Sequence, residues 1–324
     1  MNHKIALEII EANREFLLQS SSMALSDLAN IHKDFDDATD EAIIMSLSLN
    51  DSIASMRFHA DYDRAMTCSQ GILERYPDSR QYILKARHMA VVGRGLTMAG
   101  DYVSAEKLML QALQMAETDL EPSDEAIKLQ ADLLHDLAMN ADLALVDTTI
   151  AMDYLNRGME ILAGTAFENR KGLCLMGMGN IKYRKDELAS ALKYYIRASE
   201  IFDSQFSFLN LGVAYSNIAL CYADMGQMAK AEKNLMLAHA LRIRTSNHDT
   251  IANSYYSLGR FYDMSGDTEK AYVNMLTCRD YSLKSANKKL YKDSLEWLEK
   301  ISMKRNDSLN AASFKEEAQK VGLA

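Results

Sequence analysis

Apolar residues along this chain recur at spacings of three and four, the mark of helices that bury one stripe. Between Tyr255 and Ala271 the pattern is Tyr255-x-x-Leu258-Gly259-x-x-Tyr262-x-x-x-Gly266-Asp267, and the same frame precedes Ala231 as Tyr215-x-x-Ile218-Ala219-x-x-Tyr222-x-x-x-Gly226. Upstream it gives Leu175, Met178 and Gly179 before Ala191, and Val92, Gly93, Leu96, Gly100 and Asp101 before Ala105. A small residue closes the frame at Ala65, Ala105, Ala151, Ala191, Ala231, Ala271 and Ala311, at intervals of about 40 residues with one of about 46. Internal periodicity of this length means a stacked repeat rather than a single packed core.

Each repeat reads as two antiparallel helices. The glycine supplies a left-handed C-cap to the first helix, and Asp101 or Asp267 then N-caps the second. The small residue at Gly93, Gly179, Ala219 or Gly259 lets the paired backbones approach closely, and the Tyr and Leu positions fill the space between successive pairs. Around Ala65 and Ala151 the pattern weakens, with Ile53 and Met139 in the small-residue slot. Residues 1–45 hold two irregular helices, one through Ile5, Leu7, Ile9, Ile10, Phe16 and Leu17, the other from Met23 to Ile31. Tandem repeats occupy 46–285, and capping helices fill 286–324, ending in a polar helix over Ser313 to Lys320. The three segments are expected to form one continuous solenoid, because no single pair buries its apolar face alone.

These residues resemble the tetratricopeptide family, whose repeat runs aromatic, Leu-Gly, Tyr, a turn Gly, Ala, aromatic, Ala. The later slots agree at Tyr195 and Ala198, Leu235 and Ala238, and Met109 and Ala112, while Met275 is followed by Cys278 in the last Ala slot and Pro77 falls where the family places its inter-repeat proline. The resemblance implies an all-α fold, a right-handed α-α superhelix of about six to seven helical hairpins. A period near 40 looks like the long-repeat branch, which includes the regulatory domain of the bacterial maltose-regulon activator, the peptide-sensing regulators of Gram-positive bacteria and kinesin light chains.

In that family the first helix of each repeat lines the concave face. Its ninth position is Arg94, Asn140, Asn180, Leu220 and Arg260 in successive repeats, and its fifth is Ala90, Asp136, Met176, Ser216 and Tyr256. With Arg87 and Tyr183 on the same side, the expected groove set is Arg87, Arg94, Asp136, Asn140, Met176, Asn180, Tyr183, Tyr256 and Arg260. Asparagine amides would clamp the backbone of an extended peptide, and Arg94 and Arg260 would hold carboxylates. The Lys and Asn clamp of chaperone-tail binders is not reproduced.

Composition narrows the chemistry. Only 2 prolines and 14 glycines interrupt a helix-forming chain of 324 residues. The net charge of -9 is spread out and the cations form no stripe, so direct nucleic-acid binding is not expected. Cys68, Cys174, Cys221 and Cys278 lie far apart, without the pairing a zinc or redox motif needs. Met89, Met109, Met178 and Met275 fall on core slots, Met176 on the groove side. The beginning of the chain is too charged for an export signal, and no apolar run is long enough to span a membrane, so a cytoplasmic location is expected. No phosphate loop, zinc-protease or nucleophile-elbow signature occurs, and no cofactor or metal is expected.

The expected function is therefore a non-enzymatic scaffold or sensor in bacterial signalling that binds a protein or peptide segment, with homodimerisation through either end of the stack left open. The alternative is the sensory region of a larger signalling enzyme or transcription regulator. The ending Glu-Glu-Ala-Gln-Lys-Val-Gly-Leu-Ala resembles the connector before the catalytic domain of tetratricopeptide-containing diguanylate cyclases.

Overall fold

The structure, a computed structural model, describes residues 3–18, 22–35, 40–59, 61–118, 123–144, 148–244, 247–285 and 287–321. Among them sixteen helices and no strand occur. Packing divides the chain into an N-terminal unit, Met1–Ser207, and a C-terminal unit, Phe208–Ala324.

The N-terminal unit is built of successive pairs: α1 (His3–Leu18) with α2 (Ser22–Asp34), α3 (Glu41–His59) with α4 (Tyr62–Arg75), and α5 (Tyr82–Ala99) with α6 (Tyr102–Thr118). Then come α7 (Asp124–Leu143) with α8 (Thr148–Ile161) and α9 (Glu168–Arg184) with α10 (Leu188–Ser204). The helix α3 packs on α5, α5 on α7 and α7 on α9, so the odd helices form one layer and their partners a second. The C-terminal unit continues the pairing with α11 (Phe208–Asp224) and α12 (Met228–Arg242), α13 (His248–Met264) and α14 (Thr268–Lys284), and α15 (Lys288–Lys304) and α16 (Ser308–Val321).

The alanine frame is realised residue for residue. Ala65, Ala105, Ala151, Ala191, Ala231 and Ala271 are each the fourth residue of an even helix and 0% exposed, and Ala311 holds the same place in α16 at 3%. The glycine slot explains why the pairs close so tightly. A Cβ added at Gly93 would lie 2.7 Å from Met109, at Gly259 2.8 Å from Met275, and at Gly179 2.5 Å from the Tyr195 ring. In every case the packing partner lies 16 residues later, on the second helix of the same hairpin. Where Ala219 fills the slot, Leu235 stands opposite and both are buried.

The turns follow from the same chemistry. Gly100 and Gly266 adopt φ of +86° and +84° after α5 and α13, which a residue with a Cβ resists. The aspartates that follow act as foreseen: Asp101 accepts from the Ser104 amide and Asp267 from the Lys270 amide, both at 3.1 Å. Met89, Met109, Met178 and Met275 are all buried, as core slots require. The final helix α16 buries Ala311, Phe314 and Ala318 while Lys315, Glu316 and Lys320 are exposed and Glu317 accepts from the Tyr291 hydroxyl of α15.

Gly179→Ala is expected to cost about 1–3 kcal/mol, because the new methyl meets a rigid ring already packed in place. Gly93→Ala and Gly259→Ala meet flexible methionines and should cost less. Urea unfolding of the three variants checks the order.

Candidate functional site

On the odd-helix layer of the N-terminal unit lies a recess open to solvent. Its apolar lining comes from Leu49 and Ile53 of α3, Ala90 and Val91 of α5, and Leu129 of α7. Four arginines reach into it: Arg14 from α1, Arg87 and Arg94 from α5, and Arg170 from α9, with Asp132 of α7 among them.

Each arginine is met by a carboxylate. Glu125, Asp132 and Asp136 follow one another on α7 at spacings of seven and four, which puts them on one face of that helix. Arg94 donates from Nε to Asp136 Oδ2 at 2.6 Å, and Arg170 grips Asp132 with two bonds of 2.8 and 3.0 Å. Arg87 spans three helices, pairing with Glu125 on α7 and with Glu11 on α1, at 3.2 Å to the latter. Glu11 also holds Arg14, whose side chain is 2% exposed and whose Nε donates to Asn50 Oδ1 at 2.9 Å.

The pairing sets the charge states. Burial works against a charged Arg87, but the Glu11 and Glu125 carboxylates outweigh it and raise its pKa. Burial likewise favours a neutral Asp136, yet Arg94, with help from His135, holds its pKa below the usual carboxylate range. Glu125 follows the same balance, with Arg87 and Lys128 overcoming burial. The recess therefore presents fixed, ionised donors and acceptors whose charges match.

The same unit holds a neutral, buried histidine. His88 is 0% exposed; its Nε2 donates to the Met45 carbonyl at 3.0 Å, which leaves Nδ1 to accept from the Ser69 hydroxyl at 3.0 Å. Burial pushes its pKa down to about 4, against the pull of the Met45 carbonyl and reinforced by the charge of Arg14.

The C-terminal unit brings together a second group. The Arg260 guanidinium lies 5.9 Å from the Tyr256 ring and 5.8 Å from the Trp297 ring, and Lys300 lies 5.1 Å from Trp297. The Trp297 indole N–H donates to the Tyr256 hydroxyl at 3.1 Å, which ties α13 to α15.

The expected groove set is thus divided. Arg87 and Arg94 line the recess and Asp136 anchors Arg94, while Tyr256 and Arg260 belong to the other unit. Asn140 is corrected from groove to interior: it is 3% exposed, accepts from the Thr97 hydroxyl at 2.7 Å and donates to the Tyr102 carbonyl at 2.9 Å. Met176, also expected to face outward, is buried at 7%. Asn180 accepts from the Tyr195 hydroxyl at 2.8 Å, and Tyr183 is half-buried nearby on α9. The repeat frame did not single out Arg14, Asp132, Arg170 or Trp297. The spacing of Asp132 between Glu125 and Asp136 was a readable signal; Arg14 lies outside the frame altogether.

Paired helices in a 40-residue frame with small-residue slots define a helical-repeat protein. Within it, residues 210–271 match the family model described as Tetratricopeptide repeat. Among solved structures the chain is similar to a Rap protein complexed with Competence and Sporulation Factor, at 14% identity and a TM-score of 0.61 over 98% of this chain and 97% of that one. Aspartyl phosphate phosphatase F from Bacillus subtilis is similar at 14% identity and a TM-score of 0.54, covering 100% of this chain and 95% of that one. A signal transduction ATPase with a tetratricopeptide repeat sensor from Pyrococcus horikoshii matches at 12% identity and a TM-score of 0.60, over 99% of this chain and 53% of that one. At these identities the likeness is one of fold. No curated protein sequence matches the chain. Among the described residues no helix is long and apolar enough to cross a membrane, and no group of three His, Cys, Asp or Glu could hold a metal ion.

His88 makes stability sensitive to acid in a defined window. The unfolded chain protonates an ordinary imidazole near pH 6.5, while the folded state resists until about pH 4, so the unfolded state binds more protons between those values. Stability present above pH 6.5 is expected to fall by about 3 kcal/mol as pH drops to 4. Urea titrations at several pH values should show this slope, and His88→Gln should flatten it.

Proposed function

We propose that the chain is a protein- or peptide-binding regulatory module whose N-terminal recess takes an extended segment of a partner, in the cytoplasm and in bacterial signalling. The observation that carries this reading is the combination of an apolar lining with Arg–carboxylate pairs fixed across α5, α7 and α9. The lining accommodates an apolar side chain, and the immobilised guanidinium and carboxylate groups offer hydrogen bonds to a peptide backbone without a cost of ordering them at binding. Because the charges are matched, the recess selects by shape and hydrogen bonding more than by net charge. The neighbours support a regulatory role: one is a Rap protein complexed with Competence and Sporulation Factor, another carries a tetratricopeptide repeat sensor. No chemistry of its own is assigned to the chain.

A second reading makes this chain the sensory region of a larger signalling protein, and the Pyrococcus horikoshii protein favours it, since almost the whole of this chain matches about half of that one. The coding sequence on both sides of this chain, above all beyond Ala324, decides between the two readings by showing whether an output domain is encoded with it.

Panning a displayed library of linear peptides against the full chain is expected to enrich a common motif. Arg94→Gln and Asp132→Asn should each weaken the selected peptides by about tenfold, a loss in the range for hydrogen bonds to charged groups. Enrichment of no motif, or peptides indifferent to both substitutions, would sink the assignment.

A further inference from the structure

Helices of the C-terminal unit alternate in direction, so the starts of α11, α13 and α15 and the ends of α12 and α14 gather on one rim. Contacts tie this rim together. A Cβ added at Gly212 of α11 would lie 3.6 Å from the Arg242 side chain at the end of α12, and the His248 ring at the start of α13 lies 5.8 Å from that of Tyr281 near the end of α14. Asn287, just before α15, donates to the Asp249 carboxylate of α13.

The rim is both apolar and cationic. Phe208, Ile243 and Leu283, one from each inter-hairpin connection, are exposed at 52%, 44% and 65%. Ile243 and Leu283 occupy the same place in the 40-residue frame, and a cation follows each, Arg244 and Lys284. From residue 234 to 248 the chain has two arginines and no carboxylate, and from 281 to 292 it has four lysines and none. The carboxylates bordering these stretches are engaged or half-buried: Asp249 with Asn287, Asp280 with Arg279, Glu317 with the Tyr291 hydroxyl, and Asp293 within α15. At the opposite rim the charges are mixed and bond one another, Lys304 to Asp263, Arg305 to Glu269 and Lys270 to Asp267. Residues 208–324 carry 16 Lys and Arg against 13 Asp and Glu, whereas residues 1–207 carry 20 against 32, so the acidity of the chain lies outside this unit.

A row of exposed apolar side chains with lysines and arginines between them matches the two layers of an anionic bilayer surface. Apolar groups enter the boundary between headgroups and acyl chains, while the long cationic side chains stay at the level of the phosphates. Each cation held close to such a surface strengthens binding about fivefold. An acidic peptide would satisfy Arg244, Lys284 and Lys289 but leave Phe208, Ile243 and Leu283 in water; a bilayer satisfies both sets at once.

We propose that the rim formed by the inter-hairpin connections of the C-terminal unit docks reversibly on an anionic membrane surface, with Phe208, Ile243 and Leu283 entering the headgroup layer and Arg244, Lys284 and Lys289 at the lipid phosphates. The rim consists of helix ends and uses no residue of the recess.

The full-length chain is expected to co-sediment with vesicles of equal parts phosphatidylserine and phosphatidylcholine, not with phosphatidylcholine alone, and to dissociate as salt rises. Lys284→Gln with Lys289→Gln should weaken binding about twentyfold, and Ile243→Ser with Leu283→Ser about tenfold, with circular dichroism unchanged because all four positions are exposed. Lys230→Gln with Lys233→Gln, the same charge change on exposed positions of α12 away from the rim, should leave binding unchanged. The proposal fails if the mixed vesicles do not bind, if phosphatidylcholine alone binds equally, or if the Lys230 and Lys233 variant loses as much as the rim lysine variant. Binding that depends on the rim lysines but not on Ile243 and Leu283, and that hexaglutamate abolishes, would also overturn it and assign the rim to an acidic protein segment. Arg94→Gln should leave vesicle binding intact and the rim variants should still bind the recess peptides, which separates this surface from the recess.

Discussion

A large side chain of one helix can lie against its partner's backbone only where the partner carries glycine or alanine, and the rest of this structure depends on that approach. The repeated slot at Gly93, Gly179 and Gly259 lets Met109, Tyr195 and Met275 lie directly over the helix backbone. With the hairpin drawn that close, the alanine at the fourth position of each even helix is sealed from water, and the Tyr and Leu positions are pushed to the faces between hairpins. Dispersion and burial then act across the hairpins of each unit. The Tyr195 version adds a fixed hydroxyl, which bonds Asn180 and settles the orientation of that amide.

Close hairpins also determine how charge is arranged on the odd-helix layer. In the N-terminal unit α5, α7 and α9 lie side by side, so a long cationic side chain from α5 or α9 reaches a carboxylate on α7 without leaving the surface of the layer. Helix α7 runs for 20 residues, about 30 Å at the usual rise, and this is enough to carry Glu125, Asp132 and Asp136 on a single face. Arg87 needs carboxylates on two sides because it is largely buried; removing either would leave a guanidinium with part of its desolvation uncompensated. The same principle accounts for His88, which has no carboxylate and is neutral instead.

The repeat was legible because it is local: helix periodicity, cap residues and the 40-residue frame all lie within one hairpin or its copy. The helices α1 and α2 and the polar last helix were legible for the same reason. The groove was less so. A slot count gives the side of the helix that a residue faces, but not how far its side chain reaches. Asn140 and Arg94 share the ninth slot, yet the short amide is drawn inward to Thr97 and Tyr102 while the longer arginine extends to Asp136. Met176 shares the fifth slot with Asp136 and is covered by neighbours that the count does not contain. Arg14 and Arg170 enter the recess from helices whose relation to α5 and α7 is fixed only by the stack. Trp297 stands on α15, one residue past the corresponding fifth slot, beyond the stretch where the repeat pattern was strong.

The two groups of arginines differ in solvation, and this constrains what each can recognise. In the recess a guanidinium has lost part of its water, and a carboxylate from α1 or α7 restores the balance; an incoming anion would have to displace that internal partner and strand it. Binding there is easier for a segment that adds hydrogen bonds around intact pairs. Arg260 is exposed, keeps water on its open side, and has the aromatic faces of Tyr256 and Trp297 beside it. Equal residue types at equal repeat positions, Arg94 and Arg260, therefore stand in different surroundings, and the difference originates in the helix that stands next to each rather than in the arginine itself.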